Sequence, residues 1–150
     1  MPTEKSLVII KPDAMAKGLA GSIISELQNL NLKIIGLKIV DVSRELAKNH
    51  YEEHKEKFFF EKLINHLTGK FHENENVIAI VYKGENAIKK IRKLAGKAHP
   101  EEADLKTIRG KYGRHNSKTD CYENAIHASD SRENADREIN LWFKEEELVK

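Results

Sequence analysis

The chain has 150 residues, enough for one domain with a sizeable core, and its 33% charged and 39% hydrophobic content argues against global disorder. Its 26 Lys and Arg against 24 Asp and Glu leave +2, too little for bulk electrostatic binding of nucleic acid, although local clusters could still hold a small polyanion. No apolar run approaches membrane-spanning length, the first five residues lack a signal-peptide pattern, and one cysteine, Cys121, excludes an intrachain disulfide and zinc clusters of paired cysteines, so the expected address is cytoplasmic.

Leu7-Val8-Ile9-Ile10 suits a buried strand, and Pro12 ends it by biasing Lys11 towards an extended backbone, which leaves the lysine at the strand tip. A short helical turn is expected from Asp13 to Lys17, stopped by Gly18. Leu19, Ile23, Ile24, Leu27 and Leu30 recur at helical spacing, and Ile35, Leu37 and Ile39 alternate as in a strand. Ser43 can cap the next helix, which runs through Leu46 and Tyr51 towards Phe58-Phe59-Phe60. Val77–Val81 reads as another strand, and Ala87, Ile88, Ile91 and Leu94 share one face of a helix ending at Gly96. From Lys97 to about Glu123 no period emerges, and so long an irregular segment is expected to have a job or to be disordered. A last strand covers Asn124–His127, and Ala135, Ile139, Trp142 and Phe143 give a closing helix its apolar face. Ser129, Asp130 and Ser131 can all cap that helix, and Asp130 with Glu133 has capping-box spacing. The order predicts an α+β fold, a ferredoxin-like βαββαβ sandwich with a four-stranded antiparallel sheet, helices covering one face, and one long loop.

A histidine between a strand end and a helix N-terminus is placed to meet an anionic ligand, and His127 occupies that position. Its ordinary pKa leaves a neutral fraction at pH 7, so a ring nitrogen can attack an electrophile. For any one of the 7 histidines alone, a merely structural role is the better reading. Lys11, Arg92 and Arg109 all lie at element ends or in the loop and could converge on phosphates, the arginines as forked donors and the lysine as a point charge. Spacing alone cannot bring them together, and an isolated arginine is more often a solvated surface charge.

Several motifs occur in order: Val8–Ala14 (VIIKPDA), Lys17–Gly21 (KGLAG), His50-Tyr51, Phe59-Phe60, Gly84–Ala87 (GENA), Thr107–Gly110 (TIRG) and Asn124–Ser131 (NAIHASDS). Together they resemble the nucleoside diphosphate kinase family from about Lys5 to Phe143. The resemblance implies ping-pong transfer of the terminal phosphate of ATP or another nucleoside triphosphate to a nucleoside diphosphate, through a phosphohistidine on His127. It further implies that Lys11, Arg92 and Arg109 grip phosphates and that Lys11 with Asn124 holds the sugar hydroxyls. Tyr51 would lie beside His127, Glu138 would bond its other ring nitrogen, and Ser129 would support that arrangement. Phe59 would stack on the base, with Leu63 and Ala98 also at the nucleotide. Stacking without polar readout implies broad base specificity. Mg2+ would arrive on the nucleotide phosphates with no direct protein ligand, Asp130 reaching it at most through water. Family members assemble from dimers into tetramers or hexamers, so a homo-oligomer is expected.

The chain departs from the family pattern in places. Ala98 stands where a phosphate-contacting threonine is usual, Ala128 replaces a glycine, and Phe58 replaces a proline. Phe58 and Phe60 read best as core aromatics. Extra residues fall within 68–76 and between Gly110 and Asn124, and the second insertion is expected to alter loop order and assembly while leaving the chemistry intact. It also prevents assignment of the residue facing the base across from Phe59. Three rival readings carry less weight. His50 and His54 have i, i+4 metal-ligand spacing, but no third ligand is indicated and a solvated face is preferred. A non-catalytic nucleotide-binding module has no reason to retain the whole constellation. An RNA-binding sheet lacks the basic and aromatic interleaving it would need.

Overall fold

The computed structural model describes residues 2–73 and 76–150. In chain order its elements are β1 (Thr3–Ile10), α1 (Pro12–Ala16), α2 (Ala20–Gln28), β2 (Lys33–Asp41), α3 (Arg44–His50), α4 (Phe60–Leu67), β3 (Asn76–Glu85), α5 (Ala87–Ala95), α6 (Ile108–Tyr112), β4 (Arg114–Asn116), β5 (Cys121–Glu123), β6 (Ile126–Ala128) and α7 (Arg132–Trp142). Four strands form a sheet in the order β2-β3-β1-β6, every pairing antiparallel. This is the ferredoxin-like arrangement expected from the order of elements.

Helices cover both faces of that sheet, which corrects the expectation of one. Leu7 and Ile9 of β1 pack in a cluster with residues of α3, α4 and α7, whereas Val8 and Ile10 pack in another with α1, α2, α5 and α6. The unbroken apolar runs at 7–10 and 77–81 follow from this, because a strand buried on two sides has no solvent face to make polar. Each fully buried aliphatic side chain contributes about 1.5–3 kcal/mol to the core.

β2 deviates from simple alternation. A bulge between Ile34 and Gly36 turns Ile35 towards Trp142 and Phe143, so Ile35, Leu37 and Ile39 do not share a face. Leu37 and Ile39 lie opposite Ile80 and Ile78 on the outer edge of the sheet, 50% and 67% exposed.

The segment after α5 is ordered as well. α5 ends at Gly96, whose φ of +87° suits a residue without a Cβ, and Thr107 then caps α6 by accepting the Gly110 N–H. β4 and β5 pair as a two-stranded ribbon, stapled by Arg114 and Asn116, which both donate to Glu123. Elements of three to five residues are too short to register a period, which is why this segment reads as irregular in sequence. Of the insertion at 68–76, residues 74 and 75 lie outside the described residues.

Ser43 caps α3 as expected, its hydroxyl accepting the Leu46 N–H at 3.0 Å. At α7 the cap is Ser131, which accepts the Asn134 N–H at 3.1 Å. The Asp130–Glu133 capping box does not form. Asp130 instead accepts from the Asn134 side chain at 2.7 Å, which leaves its carboxylate at the rim of the cleft.

Candidate active site

β6 places His127 directly opposite Ile9 of β1. Its neighbours Ile126 and Ala128 are buried towards α5, so strand alternation turns the imidazole to the other face, against α3 and α7. There Nε2 lies 2.9 Å from Glu138 Oε1, and Ser129 Oγ donates to the same oxygen at 2.7 Å while accepting the Leu7 N–H. A carboxylate oxygen only accepts, so Nε2 carries the ring proton and Nδ1 keeps a free lone pair. Burial and the charges of Lys11, Arg109 and Arg92 hold the imidazole well below its ordinary 6.5. Burial raises the Glu138 carboxyl, and the Ser129 hydroxyl offsets part of that rise.

The cations converge from separate elements. Arg109 is 4% exposed and donates to the carbonyls of Gly96 and Ile126 at 2.9 and 3.0 Å, while its Nε has no hydrogen-bond partner among the described residues. Burial lowers its pKa to about 10, which still leaves it charged at neutral pH. Arg92 donates to the Ala128 carbonyl at 3.2 Å. Lys11, itself buried, donates to Asn124 Oδ1 at 3.0 Å, and the Asn124 amide in turn donates to the Ala98 carbonyl. Tyr51, Arg92, Arg109, His127, Asp130 and Glu138 share one cavity of about 260 Å³. Ala98 joins it to a second cavity of about 440 Å³, lined in part by Lys11, Phe59, Leu63 and Asn124. Every expected site residue therefore faces one of these two cavities, except Ser129, which is buried behind Glu138.

Some expectations change. His50 is 3% exposed rather than on a solvated face. Its Nδ1 accepts the Trp142 indole N–H at 3.1 Å, and its ring packs edge-on to His127 with centroids 4.5 Å apart. His50, His127 and Glu138 bring possible ligand atoms within 4.8 Å of one another, but His50 Nδ1, His127 Nε2 and Glu138 Oε1 are committed to hydrogen bonds and a nitrogen-rich set does not suit Mg2+. Helical spacing from the buried Ala47 was the signal that His50 faces inward. Phe58 is 96% exposed, not a core aromatic, and meets Phe59 edge-on at 5.4 Å, whereas Phe60 packs against the core as expected. Ala128 lies in ordinary strand backbone, so alanine there is unstrained. Sequence reasoning missed Cys121 and Tyr122 of β5, which line the second cavity across the ribbon.

A ferredoxin-like sheet that opens a cation-lined cleft beside an apolar slot defines a phosphotransferase acting on nucleotides. The family model for nucleoside diphosphate kinase matches residues 4–148. A nucleoside diphosphate kinase from Pyrococcus horikoshii is 49% identical over 146 residues, covering 97% of this chain and 88% of that protein. Its counterpart from Methanocaldococcus jannaschii is 43% identical over 145 residues, covering 97% and 96% respectively. Among solved structures, the Aquifex aeolicus nucleoside diphosphate kinase superposes with a TM-score of 0.89 at 36% identity, covering 99% of this chain and all of that one (100%). The Borrelia burgdorferi enzyme with bound vanadate and ADP, a transition-state mimic, gives 0.88 at 32% identity, covering 99% and 91%. The Halobacterium salinarum enzyme in complex with CDP also gives 0.88, at 36% identity and covering 99% and 93%. The chain belongs to the nucleoside diphosphate kinase family, enzymes that move the terminal phosphate of a nucleoside triphosphate to a nucleoside diphosphate.

Proposed function

We propose that His127 Nδ1 is the nucleophile of this reaction and carries the phosphate between two half-reactions. The observation that carries this reading is the 2.9 Å bond from Nε2 to Glu138, which leaves Nδ1 as the only ring nitrogen with a lone pair. In the first half-reaction Nδ1 forms a bond to the γ-phosphorus as the bond to the β-phosphate bridging oxygen breaks, and the nucleoside diphosphate leaves. A second diphosphate then reverses the step. The positive charge that develops on the imidazole is stabilised by Glu138, and Arg92, Arg109 and Lys11 meet the charge on the equatorial oxygens. Tyr51 lines the same cavity as the nucleophile, and Ser129 holds the Glu138 carboxylate in place.

The diphosphate extends from the first cavity into the second, where Lys11 and Asn124 take the sugar hydroxyls and Phe59, with Leu63, takes the base. Cys121 and Tyr122 of β5 form the opposite wall of that slot, and Tyr122 is itself braced on His99 with ring centroids 4.1 Å apart. Walls of aromatic and aliphatic carbon support broad base specificity. Ala98 offers a carbonyl but no hydroxyl, so this site makes one phosphate contact fewer than a threonine would allow. The residues fit Mg2+ that arrives on the nucleotide. Asp130, held anionic by its bond from Asn134 and the nearby Arg92, faces the phosphate cavity with a hard oxygen. The ion would neutralise phosphate charge there, with Asp130 reaching it through water.

The protein acts as one domain, cytoplasmic and a homo-oligomer. No helix among the described residues is long and apolar enough to cross a membrane. The open edge of β2 with its exposed Leu37 and Ile39 supports pairing with a second copy. The test of the chemistry is brief exposure to γ-labelled ATP. Label should appear on the protein, survive alkali and be lost in acid, and His127→Ala should take up none. Uptake of acid-labile label by His127→Ala would sink the proposal.

A further inference from the structure

The reaction as described leaves unused a buried pair beneath the cleft. Asp13 in α1 is fully buried, and His66, 2% exposed, lies on α4 one turn beyond Leu63 and, like Leu63, borders the second cavity. His66 Nε2 donates to Asp13 Oδ1 at 3.1 Å, and Asp13 Oδ2 accepts the Ala125 N–H at 3.0 Å. Burial alone would raise the Asp13 carboxyl, but the His66 hydrogen bond and the Lys11 charge outweigh it and keep the group below its ordinary value. Asp13 is therefore an anion with each oxygen committed to one neighbour.

What it grips is strained. Ala125 has φ +69°, a left-handed conformation that crowds a Cβ. The Ile126 N–H donates back to the Asn124 carbonyl at 2.8 Å and closes a three-residue γ-turn about Ala125, the uncommon form with positive φ. Such a turn persists only where its surroundings over-determine it. Here the corner between β1 and α1 holds it at three points: Lys11 N–H to the Ala125 carbonyl at 2.9 Å, Asp13 to the Ala125 N–H, and the Lys11 ammonium to the Asn124 side chain.

The turn has Asn124 at its start and His127 one residue past its end. α4, at the other end of the chain of hydrogen bonds, carries Phe59 at its N-terminus and Leu63 in its middle, both lining the second cavity. We infer that Asp13 and His66 are positioning residues: the bond from His66 to Asp13 and the bond from Ala125 to Asp13 couple the base-facing helix α4 to the strained turn that sets Asn124 beside Lys11 and leads into His127. The inference rests on the roles proposed above for Phe59, Asn124 and His127. His127 itself is held independently by Glu138, so loss of the pair should disturb how a nucleotide is aligned more than how the imidazole reacts.

The experiment compares two phosphoryl donors in single-turnover phosphorylation: ATP, which uses base, sugar and phosphates, and phosphoramidate, which has neither base nor sugar. His66→Phe removes the donor and keeps a ring, and His66→Gln restores an N–H at similar reach. Asp13→Ala removes the acceptors for both His66 and Ala125. For His66→Phe and Asp13→Ala, the second-order rate of phosphorylation by ATP should fall by about tenfold or more, mostly through a higher half-saturating concentration. Phosphoramidate should react within about twofold of the unaltered rate, and His66→Gln should recover most of the ATP rate. If His66→Phe does not fold, Asp13→Ala carries the comparison. An unchanged ATP reaction, or equal losses with both donors, would overturn the inference. Labelling of the unaltered enzyme in the same experiment reports on the phosphohistidine reading separately, since its failure would show there whatever the variants do.

Discussion

In the mechanism proposed for His127, reactivity depends on which ring nitrogen holds the proton. Imidazole needs a lone pair to attack phosphorus, and Glu138 leaves that lone pair on Nδ1 by accepting a hydrogen bond from Nε2–H. Burial and the cations proposed to face phosphate keep the ring neutral in the free enzyme. With His127 held below 6.5, the phosphorylation rate should stay level from pH 8 down through that value and fall only in more acid solution, where the lone pair is finally protonated. Glu138→Gln removes the anion that both fixes the tautomer and stabilises the developing imidazolium. Its rate of phosphorylation by ATP should fall by roughly 10²-fold or more, measured by rapid quench, and an unchanged rate would remove Glu138 from the mechanism. Much of this site was legible in the sequence as an ordered set of motifs, which implied partners for His127 without showing geometry. His50 and Asp13 were not legible as site neighbours, because their partners, Trp142 and Ala125, lie 92 and 112 positions away in the chain.

At the scale of elements, local side-chain geometry chose between caps that the sequence left open. Ser129, Asp130 and Ser131 all have capping chemistry, but Ser129 is drawn into the buried bond with Glu138, which leaves Ser131 at the helix start. Ser131→Ala should therefore cost about 1 kcal/mol in a urea unfolding experiment, and Glu133→Ala less than about 0.5 kcal/mol because no capping box forms. The apparently structureless stretch after α5 shows the limit of periodicity. A five-residue helix and two three-residue strands form there because Thr107, Arg114, Asn116 and Glu123 satisfy their backbone and ends, a pattern of pairings rather than of repeats. That ribbon brings Tyr122 to the wall of the second cavity, proposed above to take the base.

For the whole molecule, the site's electrostatics carry over into stability. His50 and His127 both sit well below 6.5 in the folded protein, His50 chiefly through burial, so between that value and their native values only the unfolded chain takes up their protons. Their contribution to stability is full above about pH 6.5 and is lost as the pH falls, with a slope of about 1.4 kcal/mol per pH unit for each histidine concerned. Urea unfolding from pH 7.5 to 5 should show this decline, and His127→Asn should reduce its slope. The homo-oligomer proposed above would assemble through the far edge of the sheet. Leu37→Glu with Ile39→Lys should lower the oligomer size in sedimentation without abolishing phosphohistidine formation, and an unaltered size would place the interface elsewhere. The sequence by itself determined the order of the longer strands and helices, which strands are buried, and the constellation to be assembled. These depend on local propensity, on the spacing of apolar residues and on a motif order that survives without coordinates. Only the tertiary structure decided that helices cover both faces, that Ser131 is the cap, that Ala125 is bent into a strained turn, and that Asp13 and His66 hold it. Those outcomes depend on contacts between residues distant in the chain, for which no local pattern exists.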